Sequence, residues 1–145
     1  MQTVKVKKLN SKAFLPTYGT PEAAGADLYA CLEAPVTILP GDTAWIGTGI
    51  ALEVPKGCAG LIYARSSLGV KRGLAPANKV GVVDSDYRGE IRVVLLNHGK
   101  EPQTIAHGER IAQFIITPVL TPAYEEAAEL SDTGRGEKGF GSTGK

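Results

Sequence analysis

The sequence has little of what marks several large classes of protein. It contains only two cysteines, Cys31 and Cys58, which are too few and too far apart for a disulfide framework or a zinc motif. No apolar run approaches the roughly 20 residues that a membrane-spanning helix needs. The first residues alternate like a strand and lack the apolar core of a signal peptide. We therefore expect an intracellular, cytoplasmic protein with two free thiols and no membrane partner.

The sequence also lacks an excess of charge of one sign. Sixteen Lys and Arg residues face 15 Asp and Glu residues, which leaves a net charge of +1. No overall field therefore attracts nucleic acid, and we expect no such partner. No set of His, Cys and Glu residues has metal-ligand spacing, so a protein-caged zinc ion is not expected. Any anion must be bound by local clusters of side chains.

What the chain does have is a series of short apolar pieces, separated by 18 glycines and 9 prolines. Its 145 residues are enough for one domain with a core. The pattern predicts strands over residues 4–9, 36–39, 43–54, 59–64, 80–83, 91–96 and 111–120. The polar residues 84–89 predict a hairpin between two of them, and residues 66–73 predict a helical turn with Ser67 as a possible N-cap. Many short strands favour an all-β sandwich, jelly roll or barrel.

The composition changes near residue 131, where Gly, Ser, Thr and charged residues take over. This segment lacks the apolar surface to fold alone, so we expect a β domain over residues 1–130 and a flexible lid segment over residues 131–145. Extended at 3.3–3.6 Å per residue, the segment would reach about 50 Å. Its end matches the G-x-x-x-x-G-K start of a P-loop, but no helix can follow the last residue, so a P-loop ATPase is excluded.

Four clusters hold polar groups that a plain β-sandwich does not need. They are AGADL with Asp27, ARSSLG with Arg65, Ser66 and Ser67, the stretch 78–89 with Asn78, Asp84 and Tyr87, and GERIAQ with Arg110 and Gln113. Taken singly, most have an ordinary reading: Asp27 as a turn cap, Arg65 in a surface turn, Asp84 in a hairpin turn. Gln113 is harder to dismiss, because a polar group on an apolar strand face must find a partner.

Taken together, the clusters have the composition of a polyphosphate site. Three arginines (65, 110 and 135) and several hydroxyls suit phosphate oxygens. The isolated Asp84 suits a water that must be activated as a nucleophile. A Mg²⁺ ion held mainly by substrate phosphates and waters fits this set better than a protein-caged metal.

These residues resemble the homotrimeric dUTP pyrophosphatases, or dUTPases. Five motifs occur in that family's order and spacing: AGADLYA (24–30), RSSLG (65–69), GVVDSDYRG (81–89), GERIAQ (108–113) and RGEKGFGSTG (135–144). The resemblance implies a jelly-roll-like β-barrel, three copies of which share three active sites at their interfaces. It implies Mg-assisted hydrolysis of dUTP to dUMP and pyrophosphate, which keeps uracil out of DNA and supplies dUMP for thymidylate synthesis.

The resemblance also implies a role for each motif residue. Asp84 would be the general base for water attack on the α-phosphorus, and Tyr87 would pack under the deoxyribose. Asp27 would support the phosphate network near the Mg²⁺ waters. Uracil would be recognised by Asn78, Gly81, Val82 and Val83, and the phosphates would be bound or supported by Arg65, Ser66, Ser67, Arg110 and Gln113. The tail would close over the nucleotide: Phe140 would stack on uracil, Arg135, Ser142 and Thr143 would hold the γ-phosphate, and Gly141 would be a further substrate-binding residue.

The chain departs from the family pattern in places, and it has rivals to exclude. Ala64 and Ser67 stand where Pro and Gly are usual, and Lys138 stands where Gly is usual. A dCTP deaminase of the same fold would carry a catalytic Glu on the strand after Asp84, near the position that Val94 occupies. A non-catalytic β-sandwich binding or capsid-like module would not need Asp84, Gln113 and a Phe-containing tail together.

Overall fold

A computed structural model of the chain describes residues 3–139. Short segments rich in β-branched residues form strands between turns that contain Gly and Pro, because β-branched side chains favour a pleated, half-buried surface. The elements in this part of the chain are β1 (Lys5–Lys8), β2 (Thr17–Tyr18), β3 (Ala26–Tyr29), β4 (Val36–Ile38), β5 (Thr43–Gly47), β6 (Ile50–Glu53), β7 (Cys58–Tyr63), α1 (Ser66–Lys71), β8 (Leu74–Pro76), β9 (Gly81–Val83), β10 (Arg92–Asn97), β11 (Gln103–Ile105) and β12 (Arg110–Pro118). The all-β prediction is confirmed.

The described strands pair antiparallel into four sheets. The largest has the order β2-β3-β12-β7-β9, and a second has the order β5-β10-β8. The pairs β1-β6 and β11-β4 complete the set. Within residues 3–139 none of these sheets closes on itself, so the fold is not a closed barrel in this part of the chain.

The predicted hairpin around residues 84–89 is wrong. Strand β9 pairs with β7, whereas β10 pairs with β5 and β8. The polar segment therefore crosses from one sheet to another instead of joining two neighbours. The apolar segments on either side correctly predicted strands β9 and β10. Local sequence does not specify, however, which strand each of them pairs with.

The predicted helical turn is present, although its cap is not the expected one. Helix α1 begins at Ser66, and Arg65 occupies the N-cap position without a side-chain cap hydrogen bond. Ser67 therefore lies inside the first turn, and its role as N-cap was wrong. The predicted strand over residues 43–54 is interrupted at Thr48 and Gly49, where Gly49 has a φ of +68°.

The core lies between the sheets and consists mainly of aliphatic side chains. The members with almost no exposed surface include Leu28, Ile46, Ile50, Leu74, Ile91, Val93, Leu95, Ile105 and Ile111. Close packing also requires Gly60 in β7, because a Cβ there would lie 2.1 Å from the Phe114 ring. This packing fixes β7 against β12, and the candidate site depends on both strands.

The chain leaves the folded part after β12. Residues 119–138 are exposed and form no strand or helix. Within residues 3–139 we find no helix with the length and apolar character to cross a membrane.

Candidate functional site

The first group of predicted residues lines a cavity of about 410 Å³. We call it the Asp84 cavity. It gathers Asn78, Gly81, Val82, Val83, Asp84 and Tyr87, together with Trp45, Ile62, Glu90, Ile91 and Arg92. All the residues expected to hold the base, the sugar and the attacking water are thus in one place, apart from the tail.

Strand β9 forms one wall of this cavity and lies at the edge of the largest sheet. Its inner side pairs with β7, from Gly81 opposite Ile62 to Val83 opposite Gly60. A strand at a sheet edge has N–H and C=O groups on its outer side that no neighbouring strand uses. The outer edge of β9 therefore offers donors and acceptors to a planar ligand in the cavity.

Asn78 and Tyr87 are held against glycines. The Asn78 amide nitrogen lies 3.5 Å from the point where a Gly81 Cβ would stand. The Tyr87 hydroxyl donates to the Glu90 carbonyl at 3.0 Å, and a Cβ on Gly89 would lie 2.3 Å from that hydroxyl. A side chain at Gly89 would displace the Tyr87 hydroxyl, whereas a Cβ at Gly81 would be in ordinary contact with the Asn78 amide.

The loop that carries Asp84 is closed by an arginine. Arg88 donates to the Ser85 carbonyl at 2.7 Å and to the Tyr87 carbonyl at 3.0 Å. Asp84 is exposed and is one of the residues that line the cavity, so a water can reach its carboxylate. Nearby, Arg92 donates to Glu90 at 2.7 Å, and this hydrogen bond raises the pKa of the Arg92 guanidinium.

The second group of predicted residues centres on Asp27. We call Asp27, Arg65, Ser67, Arg110 and Gln113 the arginine cluster. Asp27 lies within β3 opposite Gln113 of β12, and it is 8% exposed. Its two carboxylate oxygens accept from Arg65 at 2.6 Å and from Arg110 at 3.3 Å. Asp27 therefore holds two cations side by side and does not cap a turn.

Ser67 and Gln113 complete this arrangement. Arg65 donates to the Ser67 hydroxyl at 3.1 Å, so the serine that replaces the usual glycine contacts the guanidinium. Gln113 donates to the Ala64 carbonyl at 2.8 Å, which satisfies the predicted need for a partner. A Cβ on Gly25 would lie 2.8 Å from the Gln113 amide oxygen, so a larger residue there would require the end of the Gln113 side chain to move.

Within one chain, Asp84 and Arg65 lie near opposite ends of β7. Val83 pairs with Gly60 near the start of β7, which places Asp84 beside that start. Arg65 follows the other end of β7, after Tyr63. At about 3.3 Å per residue, roughly 15–20 Å of strand separates them. The Asp84 cavity also shares no lining residue with the 320 Å³ cavity that Arg65, Ser67 and Arg110 line.

The predicted tail residues are only partly described. Arg135 is exposed and donates to the Lys138 carbonyl at 2.8 Å, within its own segment. Phe140, Gly141, Ser142 and Thr143 lie outside the described residues. The structure therefore gives no position for the predicted stacking residue or for the last phosphate contacts.

Sequence reasoning missed several residues that line the two cavities. Trp45, Glu90 and Arg92 border the Asp84 cavity, and Lys71, Arg72 and Glu109 border the other. Trp45 is the only tryptophan of the chain, and this alone could have marked it as a candidate site residue. In the structure it lies on β5 and is 71% exposed. The basic pair before Gly73 is the corresponding signal for Lys71 and Arg72. Val94, where a deaminase would carry its Glu, pairs with Trp45.

Comparisons with known proteins agree with this geometry. The dUTPase family model matches residues 11–144. A deoxyuridine 5'-triphosphate nucleotidohydrolase of Syntrophotalea carbinolica is 46% identical over 142 residues, covering 98% of this chain and 97% of that protein. The structure of Staphylococcus bacteriophage 80alpha dUTPase with dUPNHPP superposes with a TM-score of 0.92 over the whole of both chains, at 29% identity.

A further structure, a mutant dUTPase from phage phi11 of S. aureus, has a TM-score of 0.82 at 23% identity and covers 90% of this chain and 100% of its own. That structure concerns the coordination of a structural Mg(II) ion in that protein. At this identity it supports the shared fold alone.

Proposed function

The chain belongs to the dUTPase family and hydrolyses dUTP to dUMP and pyrophosphate, and we propose that Asp84 activates the water while the arginine cluster holds the triphosphate. The water oxygen bonds to the α-phosphorus, and its proton passes to the Asp84 carboxylate. The bond from the α-phosphorus to the α–β bridging oxygen breaks, and pyrophosphate leaves with that electron pair. The observation that carries this assignment is the exposed Asp84 carboxylate in the same cavity as Asn78, Tyr87 and the edge of β9.

Uracil recognition follows from the edge of β9. The base presents N–H and C=O groups in one plane, and the outer side of an edge strand presents the complementary groups in one line. Asn78 adds an amide that both donates and accepts. Cytosine reverses part of this pattern and leaves buried groups unpaired, which discriminates strongly. The Tyr87 ring, pinned by its hydroxyl, would pack under the deoxyribose and exclude a 2'-hydroxyl.

The arginine cluster supplies the phosphate contacts. Arg65 and Arg110 are held by Asp27, which fixes the direction of their free N–H groups. Ser66 is exposed at the first position of α1 and adds a hydroxyl and a backbone N–H near the α–β bridge. Cations placed in advance lower the cost of the charge that builds up on the transferring phosphoryl group.

The side chains fit a Mg²⁺ ion bound mainly through substrate. Within residues 3–139 no three His, Cys, Asp or Glu side chains converge as a metal cage. Mg²⁺ usually keeps several waters and binds through substrate phosphates, so such a cage is not required. The ion would neutralise phosphate charge. Asp27, near the phosphate-binding groups, is the carboxylate that would accept hydrogen bonds from its waters.

We further propose that the site is shared between copies of the chain, as a homotrimer with three sites. The general base must come within hydrogen-bond reach of a water at the α-phosphorus, and Ser66 must contact the neighbouring bridge oxygen. In one chain Asp84 and Arg65 follow opposite ends of β7, roughly 15–20 Å apart. A second copy that places its Asp84 cavity against the arginine cluster removes this conflict.

We also propose a lid, because residues 131–145 have little apolar surface and include the fifth family motif. The β domain over residues 1–130 would bind the nucleotide, and residues 131–145 would close over it from a neighbouring subunit. Phe140 would stack on uracil, Arg135, Ser142 and Thr143 would hold the γ-phosphate, and Gly141 would be a further substrate-binding residue. Closure would exclude water from the reacting phosphate. The intracellular location also stays a prediction.

Turnover of four nucleotides tests the substrate assignment and the base together. With Mg²⁺, we expect pyrophosphate release from dUTP to be far faster than from dCTP, dTTP or UTP. Asp84→Asn should lose at least about 100-fold in kcat while still binding dUTP, because general-base contributions are of that size. Equal rates on all four nucleotides would contradict the specificity, and near-normal turnover by Asp84→Asn would remove Asp84 as the base.

Mixed subunits test the shared site. Asp84→Asn and Arg65→Ala chains are each inactive as homo-oligomers if both residues act. When equal amounts are unfolded and refolded together, random assembly of a cyclic trimer gives about one site in four with both groups intact. We expect about a quarter of wild-type activity to return. No return of activity, with sedimentation showing mixed trimers, would place both groups of a site in one chain.

A further inference from the structure

Outside the groups assigned so far, the Arg72 guanidinium donates to three different residues, and no other side chain in the described part has more partners. Arg72 occupies the C-cap position of α1. Its guanidinium donates to the Gln103 amide oxygen at 2.8 Å, to the Thr104 carbonyl at 2.7 Å, and to the Glu109 carboxylate. We call the Arg72–Glu109 pair with these contacts the bridge. Neither the general-base chemistry nor the phosphate contacts use it.

The bridge joins two segments that carry phosphate-binding residues. Helix α1 begins with Ser66 and Ser67, and Glu109 directly precedes Arg110 at the start of β12. The second Glu109 oxygen accepts from the Ala106 backbone N–H at 3.1 Å, which closes the turn before β12. One arginine therefore connects the helix, strand β11 and the turn that presents Arg110.

Helix α1 needs such a support. It has six residues, and helices this short are not stable on their own. Leu68 is the one buried side chain among its residues. At its N-terminal end Asp27 ties Arg65 to Arg110, and at its C-terminal end Arg72 ties the helix to Glu109. The N-terminal end of the helix is therefore linked to Arg110, through Asp27, and the C-terminal end to the adjacent residue Glu109.

We propose that Arg72 and Glu109 are positioning residues for the triphosphate: the bridge fixes α1, and hence Ser66 and Ser67, at the distance from Arg110 that the phosphates require. This inference rests on the proposed phosphate roles of those residues. Arg72 is 29% exposed and Glu109 27% exposed at the side chain, so the pair is only partly screened by water. Neither Arg72 nor any of its partners lines the Asp84 cavity, so loss of the bridge should not affect uracil binding.

The test separates triphosphate binding from nucleoside binding in the full-length protein. In Arg72→Met, which keeps the alkyl stem, we expect kcat/KM for dUTP to fall about 10- to 100-fold, since small misplacements of binding groups cost up to that much. The Kd of the non-hydrolysable analogue dUPNHPP should rise about 10-fold. The inhibition constant of deoxyuridine, which has no phosphate, should stay within about twofold of wild type. A merely destabilised fold would weaken both ligands together.

A double-mutant cycle supplies the second readout. Glu109→Gln should reproduce part of the Arg72→Met effect on dUPNHPP affinity. The double variant should lose no more affinity than the more impaired of the two single variants, because both substitutions remove the same bridge. Arg72→Lys should recover little, since an ammonium cannot hold three acceptors in the fork geometry. Lys12→Met, which removes the exposed Lys12–Glu33 pair, is the matched control and should change neither ligand.

Three outcomes would overturn the bridge: an unchanged dUPNHPP affinity in Arg72→Met, equal losses for dUPNHPP and deoxyuridine, or multiplicative losses in the double variant. If Arg72→Met does not fold, Arg72→Lys and Glu109→Gln carry the same comparison. The underlying assignment is checked separately with Ser66→Ala and Arg110→Met. If those variants weaken dUPNHPP while the bridge variants do not, only the bridge is wrong.

Discussion

Replacement of Asp27 by alanine should be the most informative single change in this protein. The substitution removes the carboxylate that holds Arg65 and Arg110 in the arginine cluster. The Asp27 and Arg65 side chains are 11% and 19% exposed, so this ion pair is largely buried. Removing one partner of a buried pair costs about 3–5 kcal/mol, and the lower end applies because some water still reaches Arg65.

The second arm of the cluster adds less. Arg110 is 52% exposed and its contact with Asp27 is longer, at 3.3 Å, so solvent screening reduces it to about 0.2–1 kcal/mol. The free energy of unfolding should therefore fall by about 3–4 kcal/mol in Asp27→Ala. Asp27→Asn keeps an oxygen that can accept from one arginine and should lose less.

Urea unfolding followed by Trp45 fluorescence measures this loss, at one fixed protein concentration because association changes the apparent stability. The matched control is Glu33→Ala, which breaks the Lys12–Glu33 pair on the exposed surface. That pair is open to water, so its loss should hardly change the unfolding midpoint. If Asp27→Ala lost no more stability than Glu33→Ala, the argument that burial makes the Asp27 cluster important would be refuted.

Three further predictions follow from particular residues. Gly60→Ala should destabilise the fold by at least about 1–3 kcal/mol, because the new methyl collides with Phe114, whereas Gly19→Ala, with open space around it, should be tolerated; thermal unfolding compares the two. Partial burial raises the pKa of the Cys31 thiol, so in a Cys58→Ser background its alkylation at pH 8 should be slower than that of glutathione and should speed up as pH rises towards the raised pKa; equal rates at pH 8 would contradict this. A chain ending at Gly134 should keep its oligomeric state by sedimentation but lose most of its turnover, and loss of the oligomer instead would make residues 135–145 structural.

The polar motifs could be read from the sequence because their chemistry is local. A carboxylate, an arginine and two hydroxyls keep their bonding capacity wherever they lie, so the candidate residues were found without coordinates. Each predicted strand has a counterpart in the structure, since alternation and glycine or proline turns act over a few residues, although the one over 43–54 is divided into β5 and β6 and the short strands β2, β8 and β11 were not predicted. The hairpin between β9 and β10 was wrong because pairing partners are chosen by packing across the whole domain.

The bridge is a second feature that could not be predicted from local sequence. Arg72 and Glu109 lie 37 residues apart, and nothing in their local sequence indicates that they meet. Likewise, the position of Asp27 two residues after Gly25 suggested a turn residue, yet Asp27 lies in a strand and is placed opposite Gln113 by the register of β3 and β12. Such contacts depend on strand register, which is set by the burial of side chains far away in the chain.

By itself, then, the sequence determined the all-β class, the family motifs and the residue types that dUTP hydrolysis needs. Only the tertiary structure decided their arrangement: Asp84 beside the start of β7, the arginine cluster beyond its other end, and the outer edge of β9 open to a ligand. The physical reason is that bonding capacity belongs to single residues, whereas the distance between two groups is fixed by the strands that pack between them.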